Sequence, residues 1–385
     1  MLKHTQRTNF IWITIAFNWL LILSIMLGTF VTPVSANQPD PNEQLLTGEA
    51  PFTLQTPPIR QTRIENTFDS DFVFDEGDFI LYLPVLFGQA ENTGPFLDLN
   101  NRQSVDDYFT ENYLNAPQPV IGWTGSLNNC IPGSLSADYQ AAVLQRINFY
   151  RRMAGVPDTV QLNESYNQKA QAAALMMAKN GKLNHTPPDS WLCYSTLGYD
   201  GASSSNLALG AYGWVAINMY MLDPGTGNGA AGHRRWILYP QTQEMGNGDI
   251  PPQQNYYSAN ALVVFDNHMW EPRPDTREEF VAWPPPGYVP YQIVYPRWSF
   301  SFANADFSAA VVYMTQNGSN VPLVKAAIEN GYGENTLVWI PNGLDSWASW
   351  PKPAQDMRYT VTIQNVKILN VSHDFSYDVI VFDPQ

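Results

Sequence analysis

The feature that most constrains the fold is a change of pattern at the proline-rich segment 283–287, Trp-Pro-Pro-Pro-Gly. Before it, apolar residues recur at helical spacing. After it, short alternating segments are separated by turn signals such as Asn317-Gly318, a pattern that predicts a small β-sandwich. The expected strands are 298–302, 308–315, 335–341, 358–368 and 375–382.

Capping residues predict the helices before this boundary. Ser136 can cap a first helix that Gly155 ends, and a second helix follows Asn163 and ends at Asn180-Gly181. A third helix is expected over 212–222, and strands over 233–239 and 260–265. Packed helices followed by strands indicate an α+β layered structure.

The first 36 residues are typical of an export signal. Lys3 and Arg7 precede a long apolar run, and Val34-Ser35-Ala36 ends it with small residues. We therefore predict cleavage after Ala36 and a secreted protein. An uncleaved membrane anchor is the alternative, because the run is close to the roughly 20 residues that span a bilayer.

The charge of the chain argues against nucleic acid as a partner. The chain holds 20 Lys and Arg against 35 Asp and Glu, and loss of Lys3 and Arg7 leaves 18 basic residues and a net charge of −17. Such an acidic surface repels phosphate backbones. The 13% aromatic content is that of a globular chain.

The chain has two cysteines, Cys130 and Cys193. An even number in an oxidising compartment predicts a disulfide, whereas a catalytic thiol would need a cysteine-histidine arrangement that the sequence does not display.

Four short motifs, taken in order, resemble the bacterial secreted branch of the CAP superfamily, which includes cysteine-rich secretory proteins, antigen-5 allergens and pathogenesis-related proteins. The motifs are LQRINFYRR with Asn148 and Arg151, LNHT with His185, Ser205-Asn206-Leu207, and GHRRWILYP with His233. They span roughly residues 120–282, under half of the chain.

The resemblance implies an α-β-α sandwich and a large open cleft that holds two histidines and two acidic residues. The histidines correspond to His185 and His233. The first family glutamate corresponds to Ser205 and the second to Asp223, and Ile147 replaces a family histidine.

With this resemblance, the chain divides into five segments. They are a signal peptide (1–36), a flexible N-terminal segment (37–118), a CAP-like domain (119–282), a Pro-rich linker (283–296) and an immunoglobulin-like β-sandwich (297–385).

The candidate cleft residues are His185, His233, Asp223, Ser205, Asn206 and Arg234. Two histidines and one carboxylate (His185, His233 and Asp223) are a credible zinc site by ligand type, and calcium is the other candidate metal. The alternative is that the histidines only hold loops together. Arg234 either contacts an anionic or sugar ligand or pairs within the core.

Two catalytic patterns are weaker. Ser205, His185 and Asp223 supply the residue types of a hydrolase triad, but no Gly-x-Ser-x-Gly turn accompanies them. The glycine pattern at 227–232 follows a turn rather than a strand, so it does not indicate a dinucleotide site.

Three hypotheses follow. The first is that the protein, without being an enzyme, binds an extracellular small molecule, lipid or glycan in the histidine-containing cleft. The second is a metal-assisted hydrolase of peptide or polymer, and the third is a structural or adhesive envelope protein. A membrane is a partner only if the N-terminal segment is uncleaved.

Overall fold

The computed structural model describes residues 96–385. The predicted signal peptide and the part of the N-terminal segment before residue 96 lie outside the described residues. Within 96–385, no helix has both the length and the apolar character needed to span a bilayer.

The N-terminal part of the described chain combines six α-helices with one four-stranded sheet. The helices are α1 (Arg102–Phe109), α2 (Ala137–Ala154), α3 (Glu164–Asn180), α4 (Thr196–Ser203), α5 (Gly213–Leu222) and α6 (Gly232–Ile237). The strands are β1 (Gln161–Leu162), β2 (Ser205–Leu209), β3 (Glu244–Ile250) and β4 (Ala259–Val263). Their order is β1-β3-β4-β2, with β1 parallel to β3 and the other pairs antiparallel.

The sheet separates two hydrophobic clusters. Leu207 and Leu209 pack with the alanine-rich face of α3, whereas Ala208 between them belongs to the cluster that contains α2 and α5. This alternation is the period of two that places successive side chains on opposite faces of a sheet. The predicted α-β-α sandwich is confirmed.

The capping signals form the expected local structure. The Ser136 hydroxyl accepts the Tyr139 N–H at 3.4 Å, and Gly155 ends α2 with φ of 73°. Asn163 caps α3 through the N–H groups of Ser165 and Tyr166. The strand expected over 233–239 is wrong, because 232–237 is helix α6. Every residue of α6 is buried, including His233, Arg234 and Arg235, so this short segment shows no division into a polar and an apolar face that would indicate a helix.

The C-terminal part contains two sheets, and all five strands predicted there are present. The strands are β5 (Val281–Trp283), β6 (Gly287–Pro290), β7 (Trp298–Ser301), β8 (Val311–Gln316), β9 (Ser319–Asn320), β10 (Leu323–Lys325), β11 (Thr336–Pro341), β12 (Met357–Ile368) and β13 (Val371–Phe382). One sheet has the order β10-β11-β7-β5 and the other β6-β13-β12-β8-β9.

Two segments predicted to be irregular hold regular structure. Residues 283–296, predicted as a linker, include β6, which pairs in parallel with β13. Residues 96–118, at the end of the predicted flexible segment, include α1 and a following π-helical turn, Thr110–Leu114. A single hydrophobic cluster runs from α1 and α2 into both C-terminal sheets.

The predicted disulfide is confirmed. Cys130 and Cys193 are bonded, with their Cα atoms 5.1 Å apart, and the structure contains no free cysteine in the described residues. The bridge joins the segment before α2 to the loop that carries His185.

Candidate functional site

The two histidines reach the site from different elements. His233 lies in the first turn of α6, and His185 lies in the loop that follows α3. His233 is completely buried, and 8% of His185 is exposed. The resemblance implied an open cleft; in the structure both histidines are enclosed.

A carboxylate holds the His233 ring. Asp223 Oδ1 lies 2.7 Å from His233 Nδ1, and Asp223 Oδ2 accepts the backbone N–H of His233 at 3.0 Å. A carboxylate accepts hydrogen bonds, so Nδ1 carries the proton and the Nε2 lone pair is free. The ring also stacks on Tyr220, with centroids 5.4 Å apart.

A backbone carbonyl holds the His185 ring. His185 Nδ1 lies 2.8 Å from the carbonyl oxygen of Ala202. Because a carbonyl only accepts, this ring also has its proton on Nδ1 and a lone pair on Nε2. Burial is the main cause that lowers the pKa of His185 to about 4, against the opposing effect of the hydrogen bond to Ala202. His185 is therefore neutral near pH 7.

The two histidines contact α4 and β2 on either side of the short connection between them. His185 bonds Ala202 near the end of α4, and Asn206 in β2 donates from Nδ2 to the His233 carbonyl at 3.0 Å. Ser205, the first residue of β2, lies between these two contact points in sequence. The structure thus places His185 and His233 against the two ends of the segment from Ala202 to Asn206, which contains Ser205.

The centre of this group contains polar atoms that lack partners. Among the described residues, no hydrogen bond reaches four buried atoms: His185 Nε2, His233 Nε2, Ser205 Oγ and Asn206 Oδ1. Buried polar atoms are normally bonded, and each exception needs an explanation. A ligand group, an ordered water or a cation would satisfy them.

Asp223 does not act as the predicted third metal ligand. Its carboxylate is bonded at the Nδ1 edge of His233, opposite Nε2. Within 96–385, His185, His233 and Asp223 do not present one ligand atom each within 4.8 Å of one another. Asp223 instead orients His233 and fixes its tautomer, as outer-sphere carboxylates do.

Arg234 has a structural role, which was one of its two predicted roles. Its side chain is 1% exposed and donates from each of its three nitrogens, to the Met221, Leu222 and Arg297 carbonyls and to Ser299 Oγ. These bonds join α5 and α6 to β7.

Sequence reasoning missed the polar network beneath the site. The Tyr220 hydroxyl donates to the Asn206 carbonyl at 3.1 Å and to Asn260 Oδ1 at 2.7 Å. Asp249 accepts from Gly213 N–H and Asn260 Nδ2, and burial raises its pKa. Asp249 is therefore held within this network. The sequence signal for this network was the presence of polar residues, such as Asp249 and Asn260, in the buried strands β3 and β4.

Comparison with known proteins agrees with this geometry. A family model described as "CAP: Cysteine-rich secretory protein family" matches residues 144–265. The match includes α3, β2, His185, Ser205, Asp223 and His233. The chain contains a CAP domain.

Other comparisons add little to the CAP domain assignment. No curated protein matches the chain significantly. A solved structure, PcoC, a methionine-rich copper resistance protein from Escherichia coli, is 15% identical over 26% of this chain and 92% of its own, with a TM-score of 0.20. A likeness at that TM-score supports no conclusion about this chain.

Proposed function

We propose that the protein is exported and that its CAP domain binds an extracellular ligand at the centre formed by His185, His233 and Ser205. The observation that carries the proposal is the group of buried, unpartnered atoms there: two imidazole Nε2 atoms and the Ser205 hydroxyl. The disulfide between Cys130 and Cys193 supports export, because such bonds persist in oxidising compartments.

The chemistry of these atoms favours a neutral ligand that donates hydrogen bonds. Both rings keep their protons on Nδ1, so they offer only lone pairs to a ligand. A hydroxyl group meets this requirement, and lipids, glycans and envelope polymers carry hydroxyls.

Ligand access is easiest from the side of His185. His185 is the only member of the group with exposed surface, whereas His233, Asp223, Ser205 and Asn206 have none. The loop that carries His185 is tied to the segment before α2 by the disulfide. A ligand hydroxyl would enter beside this loop.

The test compares the binding of hydroxyl-bearing lipid vesicles and soluble glycans to the parent protein and two variants. His185→Phe and Ser205→Ala should each weaken binding about tenfold, the cost of one lost hydrogen bond. The matched control is His373→Phe, because His373 is exposed on β13. Equal binding by all four proteins would place the ligand elsewhere.

A metal-assisted hydrolase is the second candidate, favoured by the contacts behind the two rings. Zinc-binding histidines typically donate their other N–H to a carboxylate or a carbonyl, as His233 and His185 do here. His185, His233 and the Ser205 hydroxyl would hold the ion, which would supply an activated water when bound. Calcium fits poorly, since it prefers oxygen ligands.

A calorimetric zinc titration separates this candidate from the first. Loss of one equivalent of zinc binding in both His185→Ala and His233→Ala, together with zinc-dependent turnover of a peptide or polymer, would favour the hydrolase. Zinc binding that is equal in the parent and both variants would remove the metal mechanism at this centre.

A further inference from the structure

A second polar cluster lies at the end of the four-stranded sheet where β3 begins and β4 has ended. It consists of Glu244, the first residue of β3, and of Asp266 and His268 around the 3-10 turn Asn267–Trp270. One ligand atom from each of the three side chains lies within 4.8 Å of the other two. Neither the family resemblance nor the proposed function uses these residues.

Asp266 is the fixed centre of the cluster. It is 2% exposed, and its Oδ2 accepts the N–H groups of Gln243 at 2.7 Å and Glu244 at 2.9 Å. Its Oδ1 lies 2.8 Å from His268 Nδ1. The backbone thus holds one carboxylate in place, with an imidazole nitrogen beside it.

The other two side chains are oriented differently. Glu244 Oε1 accepts from Asn163 Nδ2 at 3.1 Å, and Asn163 is itself fixed as the cap of α3. His268 is 31% exposed and is held at Nδ1 only. Glu244 and His268 can therefore turn slightly toward a shared ion without breaking the core.

The cluster opens onto a pocket of about 550 Å³. Glu244 and His268 form part of its lining, together with Glu271, Gln241 and Thr242. Thr242 is 2% exposed, and its Oγ1, like Gln241 Oε1, is buried with no hydrogen-bond partner among the described residues. Unsatisfied oxygens beside the cluster are an independent sign that a bound species belongs in this pocket.

We propose that Glu244, Asp266 and His268 bind a divalent cation of the zinc class, with an open coordination position that faces the pocket. Imidazole nitrogen and carboxylate oxygen are both ligands of zinc, and catalytic zinc sites use three protein ligands and leave a fourth position to water or ligand. His268 would bind the ion through Nδ1 as a neutral imidazole with its proton on Nε2, and the proton displaced from Nδ1 would pass to Nε2 or to solvent. Glu271 adds negative charge at the pocket wall.

The test is a calorimetric zinc titration of the full mature chain and of two variants. Glu244→Gln keeps an acceptor for Asn163 but removes the charge, and His268→Asn keeps a donor for Asp266 but removes the imidazole. Each variant should bind zinc at least about tenfold more weakly, since loss of even an outer-sphere partner costs that much. Visible absorption of bound Co²⁺ should fall in parallel.

Two controls make the result specific. His373→Asn removes an exposed histidine on β13, and a His185→Ala/His233→Ala double variant removes the other candidate centre. Both should bind zinc at the cluster within twofold of the parent. The proposal is overturned if zinc does not bind, or if Glu244→Gln and His268→Asn bind it as tightly as the parent while their urea unfolding is unchanged.

Discussion

Hydrogen bonds at Nδ1 fix the orientation and the tautomer of the two histidines in the CAP domain. A carboxylate holds His233 and a carbonyl holds His185, each at Nδ1. Asp223 adopts a left-handed backbone conformation, with φ of 52°, and so does Ala231, with φ of 51°. Such conformations cost roughly 1 kcal/mol or more in non-glycine residues. The loop between Asp223 and Ala231 adopts these conformations nonetheless, and it places the Asp223 carboxylate against His233.

His185 should make the stability of the protein depend on pH. Its folded pKa of about 4 lies below the ordinary histidine value of 6.5, so the unfolded chain binds more protons between these values. Its contribution is fully present above pH 6.5 and is lost as the pH falls toward 4. The size of that contribution is about 3 kcal/mol.

Urea unfolding measured across this range checks the prediction. His185→Gln should lose less free energy of unfolding than the parent between pH 6.5 and pH 4. His373→Gln serves as the control, and its profile should follow the parent. Parallel profiles for His185→Gln and the parent would mean that burial does not lower the pKa of His185.

The close packing of α3 on β3 depends on small residues in both elements. Ala170, Ala173 and Ala174 lie on the buried face of the helix, and β3 contributes Gly246 and Gly248. A Cβ at Gly248 would lie 2.2 Å from the backbone carbon of Ala170. The alanine pattern predicted a closely packed helix. That Gly246 and Gly248 lie against this helix follows from the position of β3, which the sequence does not give.

We expect Gly248→Ala to lower the free energy of unfolding by about 2–3 kcal/mol, because the helix must move away from the sheet. Gly229→Ala is the matched control, since its added Cβ meets nothing within 4 Å and should change stability by less than about 0.5 kcal/mol. Urea unfolding of the two variants measures the difference. Similar values for both would show that the helix adjusts without cost.

At the scale of the whole molecule, the CAP domain and the C-terminal sheets share one core. Trp283, Trp298 and Trp339 belong to the same hydrophobic cluster as Val143 and Ile147 of α2. Arg234 bonds the Arg297 carbonyl, and the Arg297 guanidinium bonds the carbonyls of Asp223 and Gly225. The β-sheets therefore support the loop that positions His233.

This continuity predicts cooperative unfolding. Calorimetry of the mature chain should give a single transition for the CAP domain and the sheets together, and a fragment of residues 119–282 should be unfolded when produced alone. The fragment loses the partners of Arg234 and exposes the apolar surface that packs on β7. Two transitions and a folded fragment would instead support the independent domains predicted from the sequence.

Rules that use only residues close in sequence were sufficient to predict many helices and strands of this protein. Ser136, Gly155 and Asn163 act through their nearest neighbours, so the ends of α2 and α3 could be predicted. Alternating residues predicted the C-terminal strands, and two cysteines left one possible intramolecular pair. That His185 and His233 share one site was implied by the family resemblance and not by local rules.

Only the tertiary structure decided the roles that depend on the orientation and the burial of a side chain. The sequence places Asp223 near His233, but the edge of the ring that it contacts follows from the turn after α5. Arg234 is structural because β7 supplies its acceptors, 63 residues away. Glu244, Asp266 and His268 meet because β3 and β4 are antiparallel and the 3-10 turn follows β4. These contacts depend on packing between elements that are distant in sequence, and the pattern of neighbouring residues does not predict that packing.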